Sequence, residues 1–209
     1  MKEKMHKTHK PSHTQPSSQG LYQSDFEHDA CGIGFNANIK GNKSHQIIED
    51  SLKMLNNLEH RGGCGCEENT GDGAGILTQI PHEFLKKELK SQNISLPKQG
   101  NYGVGMVFLP QSTQQRTFCE STVEQIIKEE KQKLLCWRDV PICNKSLGES
   151  ALKTQPYIKQ FFIEKKSSDL DSAEFERKLF VIRKRVEKII QGYQVKQKDL
   201  FYIVSLSCK

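Results

Sequence analysis

Cys64-Gly65-Cys66-Glu67-Glu68-Asn69-Thr70-Gly71-Asp72-Gly73-Ala74-Gly75-Ile76-Leu77 is too dense in glycine for a helix or a strand. With Arg61-Gly62-Gly63 before it, the stretch predicts a loop from Arg61 to Gly75. Two cysteines one residue apart raise the question of a metal. A structural zinc site takes about four ligands at wider spacing, and no second Cys/His pair at a matching interval accompanies these two. The reading is therefore no metal site, with a module built on Cys64, Cys66 and a distant His as an alternative. The glycines suggest a phosphate cradle, but the P-loop lysine and its spacing are missing.

Upstream, Glu27-His28-Asp29-Ala30-Cys31-Gly32-Ile33-Gly34-Phe35 places a cysteine at the start of a loosely alternating apolar run. Ile33, Phe35, Ala37 and Ile39 predict a strand from Cys31 to Ile39 with one buried face. Ser44 to Leu58 reads as a helix with Ser44 as its N-cap, ending in Leu58-Glu59-His60-Arg61-Gly62-Gly63. Taken alone, His and Arg at that end are ordinary partners of a helix C-terminus, and a free cysteine is most often a small buried hydrophobe.

Downstream, Ile76 to Ile80 predicts a short strand and His82 to Lys90 a helix entered through Pro81. Tyr102 to Leu109 predicts a buried strand, Thr113 to Leu134 a largely charged helix, and Trp137 to Glu149 a turning segment. Tyr157 to Ile163 predicts a strand, Ser172 to Gln191 a helix with Phe175, Leu179, Ile182, Val186 and Ile189 on one face, and Leu200 to Leu206 a last strand. Strands and helices mix without a repeat, which places the chain in the α/β or α+β class. The final apolar run stops three residues before Lys209, so the reading expects a domain cut short of its closing elements.

A chain of 209 residues can bury a core. Its 35% hydrophobic and 27% charged residues suit a globular protein with a polar surface. No apolar run approaches the roughly 20 residues of a membrane-spanning helix, so no membrane partner is expected. The net charge of +6 is interleaved with acids, as at Lys128-Glu129-Glu130-Lys131, in the manner of a solvated helix face. No nucleic-acid partner is expected, because only Arg183-Lys184-Arg185 approaches a basic cluster. Seven cysteines without a secretory signal argue for a reducing compartment. The location expected is cytoplasmic. Residues 1–30 read as a leader, partly disordered; its first residues are basic but poor in arginine, which leaves a simple tail or a plastid or mitochondrial transit peptide as alternatives.

The order Cys-Gly-Ile-Gly-Phe, then Leu-Glu-His-Arg-Gly, then a glycine-rich turn resembles the opening of the class II glutamine amidotransferases, which are N-terminal nucleophile hydrolases. Cys64 to Leu77 narrows the resemblance to the ferredoxin- or pyridine-nucleotide-linked glutamate synthases. Gly103 to Pro110, Trp137-Arg138-Asp139-Val140-Pro141 and Leu147-Gly148-Glu149-Ser150-Ala151 extend it, from about Gly20 to Lys209.

The resemblance implies an α+β fold, the four-layer αββα sandwich, incomplete at its C-terminal side, with residues 31–209 as the N-terminal part of the amidotransferase domain. It implies hydrolysis of glutamine to glutamate and ammonia for transfer to 2-oxoglutarate, with Cys31 as nucleophile and, once the leader is removed, its α-amino group as base. Arg61, Gly32 and Asp72 are implied as substrate-binding or active-site support, and His60 matches a family position; Cys64 and Cys66 match too and are read as structural. No cofactor is expected in this chain; FMN and an iron-sulfur cluster are implied for the complete enzyme. Its implied partners are the remaining domains and a reductase subunit or domain, or ferredoxin. Two family segments are missing, His-Asn-Gly-Glu-Ile-Asn with the oxyanion donors and Arg-Phe-Ser-Thr with the substrate-binding arginine. Loss of one oxyanion donor typically costs about 10² to 10³ in rate. The isolated chain is therefore expected to be inactive, and a truncated, non-catalytic fragment stands as the alternative.

Overall fold

The computed structural model describes residues 32–59, 67, 70–71, 73–166, 170–193 and 201–209. The chain forms two compact units, Met1–Gly63 and Cys64–Lys209. In the first, α1 (Gln46–Asn57) follows irregular backbone. Ser44 Oγ accepts the Gln46 N–H at 3.1 Å, so the expected polar residue serves the helix start although the helix begins two residues later. The strand expected over residues 31–39 is corrected: its described part, 32–39, has no strand. Ile33 is 93% and Phe35 90% exposed. Alternation makes a strand only where a partner accepts the backbone groups and covers the apolar face.

The second unit runs α2 (His82–Lys90), β1 (Tyr102–Leu109), α3 (Thr113–Glu129), β2 (Lys133–Asp139), α4 (Glu149–Thr154), β3 (Tyr157–Glu164), α5 (Ser172–Gly192) and β4 (Tyr202–Ser207). Among the described residues these strands form one antiparallel sheet in the order β2-β3-β1-β4. Tyr102 pairs with Glu164 and Leu109 with Tyr157, so β1 and β3 match over their full length.

Helices α3 and α5 cover one face of the sheet. Val123, Ile126 and Ile127 of α3 and Phe175, Leu179 and Ile182 of α5 cluster with Val107, Phe161 and Ile163. On the other face, Leu85 and Leu89 of α2 cluster with Tyr102 and Phe162. Phe161, Phe162 and Ile163 are all buried because adjacent side chains of a strand point to opposite faces, and each face has a cover here. A methyl group at Gly105 would lie 2.2 Å from the Phe161 ring, so glycine in β1 makes room for that ring. Arg138 of β2, buried on the α2 side, donates to Glu88 Oε2 at 2.8 Å and Gln160 Oε1 at 3.0 Å. Helix α5 opens on a capping box between Asp171 and Glu174.

Three expectations in this unit are corrected. The helix expected to Leu134 ends at Glu129, Lys131 takes a φ of 59°, and β2 starts at Lys133. Leu134 packs on the α3/α5 side and Leu135 on the α2 side, a division that a strand provides. Residues 76–80 form no strand, and Leu77 is 89% exposed. The turning segment expected to Glu149 gives way there to a short helix, Glu149–Thr154. The α+β class stands, with helices and an antiparallel sheet.

Candidate functional site

Cys31, Arg61 and Asp72, together with His60, Cys64 and Cys66, lie outside the described residues. Gly32 is described. A methyl group there would come within 2.9 Å of Leu58 Cδ2, at the C-terminal end of α1. The residue after Cys31 thus lies against the last turn of the helix that leads into His60 and Arg61.

In the second unit the glycine-rich motif is anchored through Glu67. Its Oε2 accepts the Thr70 hydroxyl at 2.8 Å and the Ser150 hydroxyl at 3.0 Å, while the Ser150 N–H lies 3.2 and 3.3 Å from the two carboxylate oxygens. Thr70 N–H donates to the Glu67 carbonyl at 3.1 Å, which closes the turn locally. These hydrogen bonds, first that from Thr70 and then those from Ser150, hold the Glu67 carboxyl below its ordinary range. Gly148 is what admits this approach. A methyl group at that position would stand 2.1 Å from Glu67 Oε2 and 2.5 Å from Thr70 Oγ1. Two quoted motifs, 83 residues apart, therefore meet. Sequence reasoning assigned no role to Glu67, Gly148 or Ser150; the available signal was a carboxylate inside a glycine-dense loop and a Gly two residues before a Ser.

Three of the described cysteines contrast with an activated nucleophile, whose thiol is lowered by nearby positive charge or a helix N-terminus. Burial pushes Cys119 and Cys136 up to about 11. Cys208 is pushed up to about 11 as well, first by burial and then by Glu176, whose Oε2 accepts from its thiol at 3.0 Å. Cys143 is exposed. Tyr102, pushed up to about 12 chiefly by burial, has its hydroxyl 2.9 Å from His82 Nδ1 in the core beneath α2. Among the described residues, no group of three or more His, Cys, Asp or Glu is arranged to hold a metal ion, and no helix is long and apolar enough to cross a membrane.

Comparison with known proteins gives a family match to class-II glutamine amidotransferases over residues 31–209. The chain is 47% identical over 194 residues to the glutamate synthase [NADPH] large chain of Bacillus subtilis, covering 92% of this chain and 12% of that protein. It is 38% identical over 183 residues to ferredoxin-dependent glutamate synthase 2 of Synechocystis, covering 88% of this chain and 11% of that protein. It is 36% identical over 201 residues to glutamate synthase [NADH] of Saccharomyces cerevisiae, covering 92% of this chain and 9% of that protein. The chain thus spans about an eighth or less of the length of these relatives.

Proposed function

The chain belongs to the class-II glutamine amidotransferases, and from that premise we propose that it is the glutamine-cleaving part of a glutamate synthase, with Cys31 as its nucleophile. The observation that carries this reading is the family match, which opens at Cys31. The relatives named for NADPH, ferredoxin and NADH share this segment, which supports a step independent of the reductant. That step is release of ammonia from glutamine.

With Cys31 as first residue, its α-amino group, whose reference pKa is about 7.7 to 8.0, accepts the thiol proton near neutral pH. The sulfur attacks the side-chain carbonyl carbon of glutamine, the C–N bond breaks, and the nitrogen leaves as ammonia by taking the thiol's proton back from the α-ammonium group. Water then cleaves the γ-glutamyl thioester to release glutamate and the thiol. Arg61, Gly32 and Asp72 support substrate and nucleophile. The ammonia passes to 2-oxoglutarate in the remainder of the polypeptide, where FMN, an iron-sulfur cluster and a reductase or ferredoxin belong. The resident compartment is the cytoplasm, or an organelle if residues 1–30 act as a transit peptide.

The finer fold is the αββα sandwich. The helix pair α3/α5 covers one sheet face, while the other carries half-buried Met106, Phe108 and Ile158 outside the α2 cluster. Such apolar surface ordinarily has a cover.

The test is ammonia release from glutamine by the complete polypeptide, with its mature N-terminus read by intact mass. The expected result is a chain starting at Cys31, a Cys31→Ser loss of about 10³-fold or more, and a much milder effect of Cys64→Ser. A complete chain that keeps its leader and releases no ammonia would sink the reading.

A further inference from the structure

We propose that the outward face of α5 is a docking surface for an apolar, carboxylate-bearing segment of the same polypeptide outside residues 1–209. This rests on the glutamate synthase reading, because it needs a polypeptide longer than the matched segment; this chain covers 12% of its Bacillus subtilis relative.

Helix α5 buries Phe175, Leu179, Ile182, Val186 and Ile190 against the sheet. With about 3.6 residues per turn, Arg177, Phe180, Val181, Lys184 and Lys188 fall in one stripe on the opposite side. A helix that covers a sheet is ordinarily polar there. Phe180 is nevertheless 59% and Val181 39% exposed, and both lie outside the two hydrophobic clusters. The two are adjacent and central in the stripe, with cations on either side. Lys184 Nζ stands 6.0 Å from the centre of the Phe180 ring.

Charge selects the occupant. Of the basic run Arg183-Lys184-Arg185, Arg183 is paired with Glu187 at 2.8 Å, and Arg185 with Glu129 and Glu130. Lys184 shares Glu187 with Arg183, while Arg177 and Lys188 have no ion pair among the described residues. The unneutralised charge therefore lies on the same stripe as the exposed Phe180 and Val181. An apolar centre rimmed by positive charge fits a segment that brings apolar side chains to the centre and carboxylates to the rim. A second copy of α5 would set like charges against each other. Phosphate contacts favour free guanidinium groups, and those of Arg183 and Arg185 are already engaged.

The experiment couples amines to carboxylates with a carbodiimide in the complete synthase polypeptide. Cross-linked peptides are read by mass spectrometry, beside the melting midpoint and ammonia release from glutamine. The expected result is a cross-link from Lys184 or Lys188 to an Asp or Glu of the same copy outside residues 1–209; a mixture of isotope-labelled and unlabelled protein distinguishes copies. Phe180→Ser should lower its yield about tenfold or more, as loss of an interface aromatic does. Val181→Ser should lower it in the same direction. Both side chains are outside the hydrophobic clusters, so each midpoint should stay within a few degrees of the parent. Cross-links confined to Glu187, cross-links between copies, or none at all overturn the proposal, as does a yield that neither substitution changes. Absence of the cross-link with sedimentation on phosphatidylserine vesicles assigns the face to a lipid surface and overturns it too. Ammonia release is read separately. Its absence overturns the amidotransferase reading, whereas its presence without the cross-link overturns the docking surface alone.

Discussion

Cysteine chemistry in this chain is decided by surroundings rather than by residue type. Cys119, Cys136 and Cys208 have thiols raised to about 11 by burial, so at pH 8 only about one molecule in 10³ carries the thiolate at any of them. Cys143 is exposed. Brief treatment with iodoacetamide at that pH, followed by peptide mass spectrometry, should label Cys143 before any of the other three; early labelling of Cys119 would mean that its pocket is open. The role of a carboxylate in a loop is likewise set by its neighbours. Glu67 looks like one more acid in Glu67-Glu68 until its three donors, two of them from Ser150, are seen around it.

At the scale of the element, α2 is joined to the sheet by apolar packing, by the His82–Tyr102 hydrogen bond and by the Arg138–Glu88 ion pair. Leu85 and Leu89 pack on Phe162 and Tyr102. Beside them Arg138 reaches Glu88 from a buried position. Glu88→Ala would leave the guanidinium with Gln160 as its side-chain hydrogen-bond partner, and an under-satisfied buried donor costs about 1–3 kcal/mol. Urea unfolding should report a loss of that size, toward its lower end because Glu88 is itself 40% exposed. A loss indistinguishable from zero would mean that water replaces the carboxylate. The elements legible in sequence were those with a clean period. α2 and β1 match their expected bounds, and β3 and α5 match within one residue. β2 was not legible because Lys133, Arg138 and Asp139 dilute its apolar content, and an apolar pair such as Leu134-Leu135 reads equally as the end of the helix before it.

For the molecule as a whole, the buried ionisable groups set an alkaline limit on stability. An unfolded thiol ionises near 8.5, whereas Cys119, Cys136 and Cys208 hold their protons to about 11 in the folded chain. Between those values the unfolded state binds fewer protons, so stability falls as pH rises, by on the order of 1 kcal/mol per thiol. Tyr102, raised to about 12, adds to the decline above pH 10. Melting midpoints taken from pH 7.5 to 10.5 should drop, and replacing all three cysteines by alanine should flatten the curve; an equally steep curve in that variant would locate the effect elsewhere. By itself the sequence determined a mixed helix-and-strand class and the family, and it nominated Cys31 as nucleophile, because periodicity and short motifs are local properties of the chain. Only the tertiary structure decided that Lys133–Asp139 is a strand, that residues 32–39 and 76–80 are not, and that Ser150 holds Glu67. Those outcomes depend on which partner accepts a backbone or side-chain group across the fold, and a contact 83 residues long leaves no period in the sequence to read.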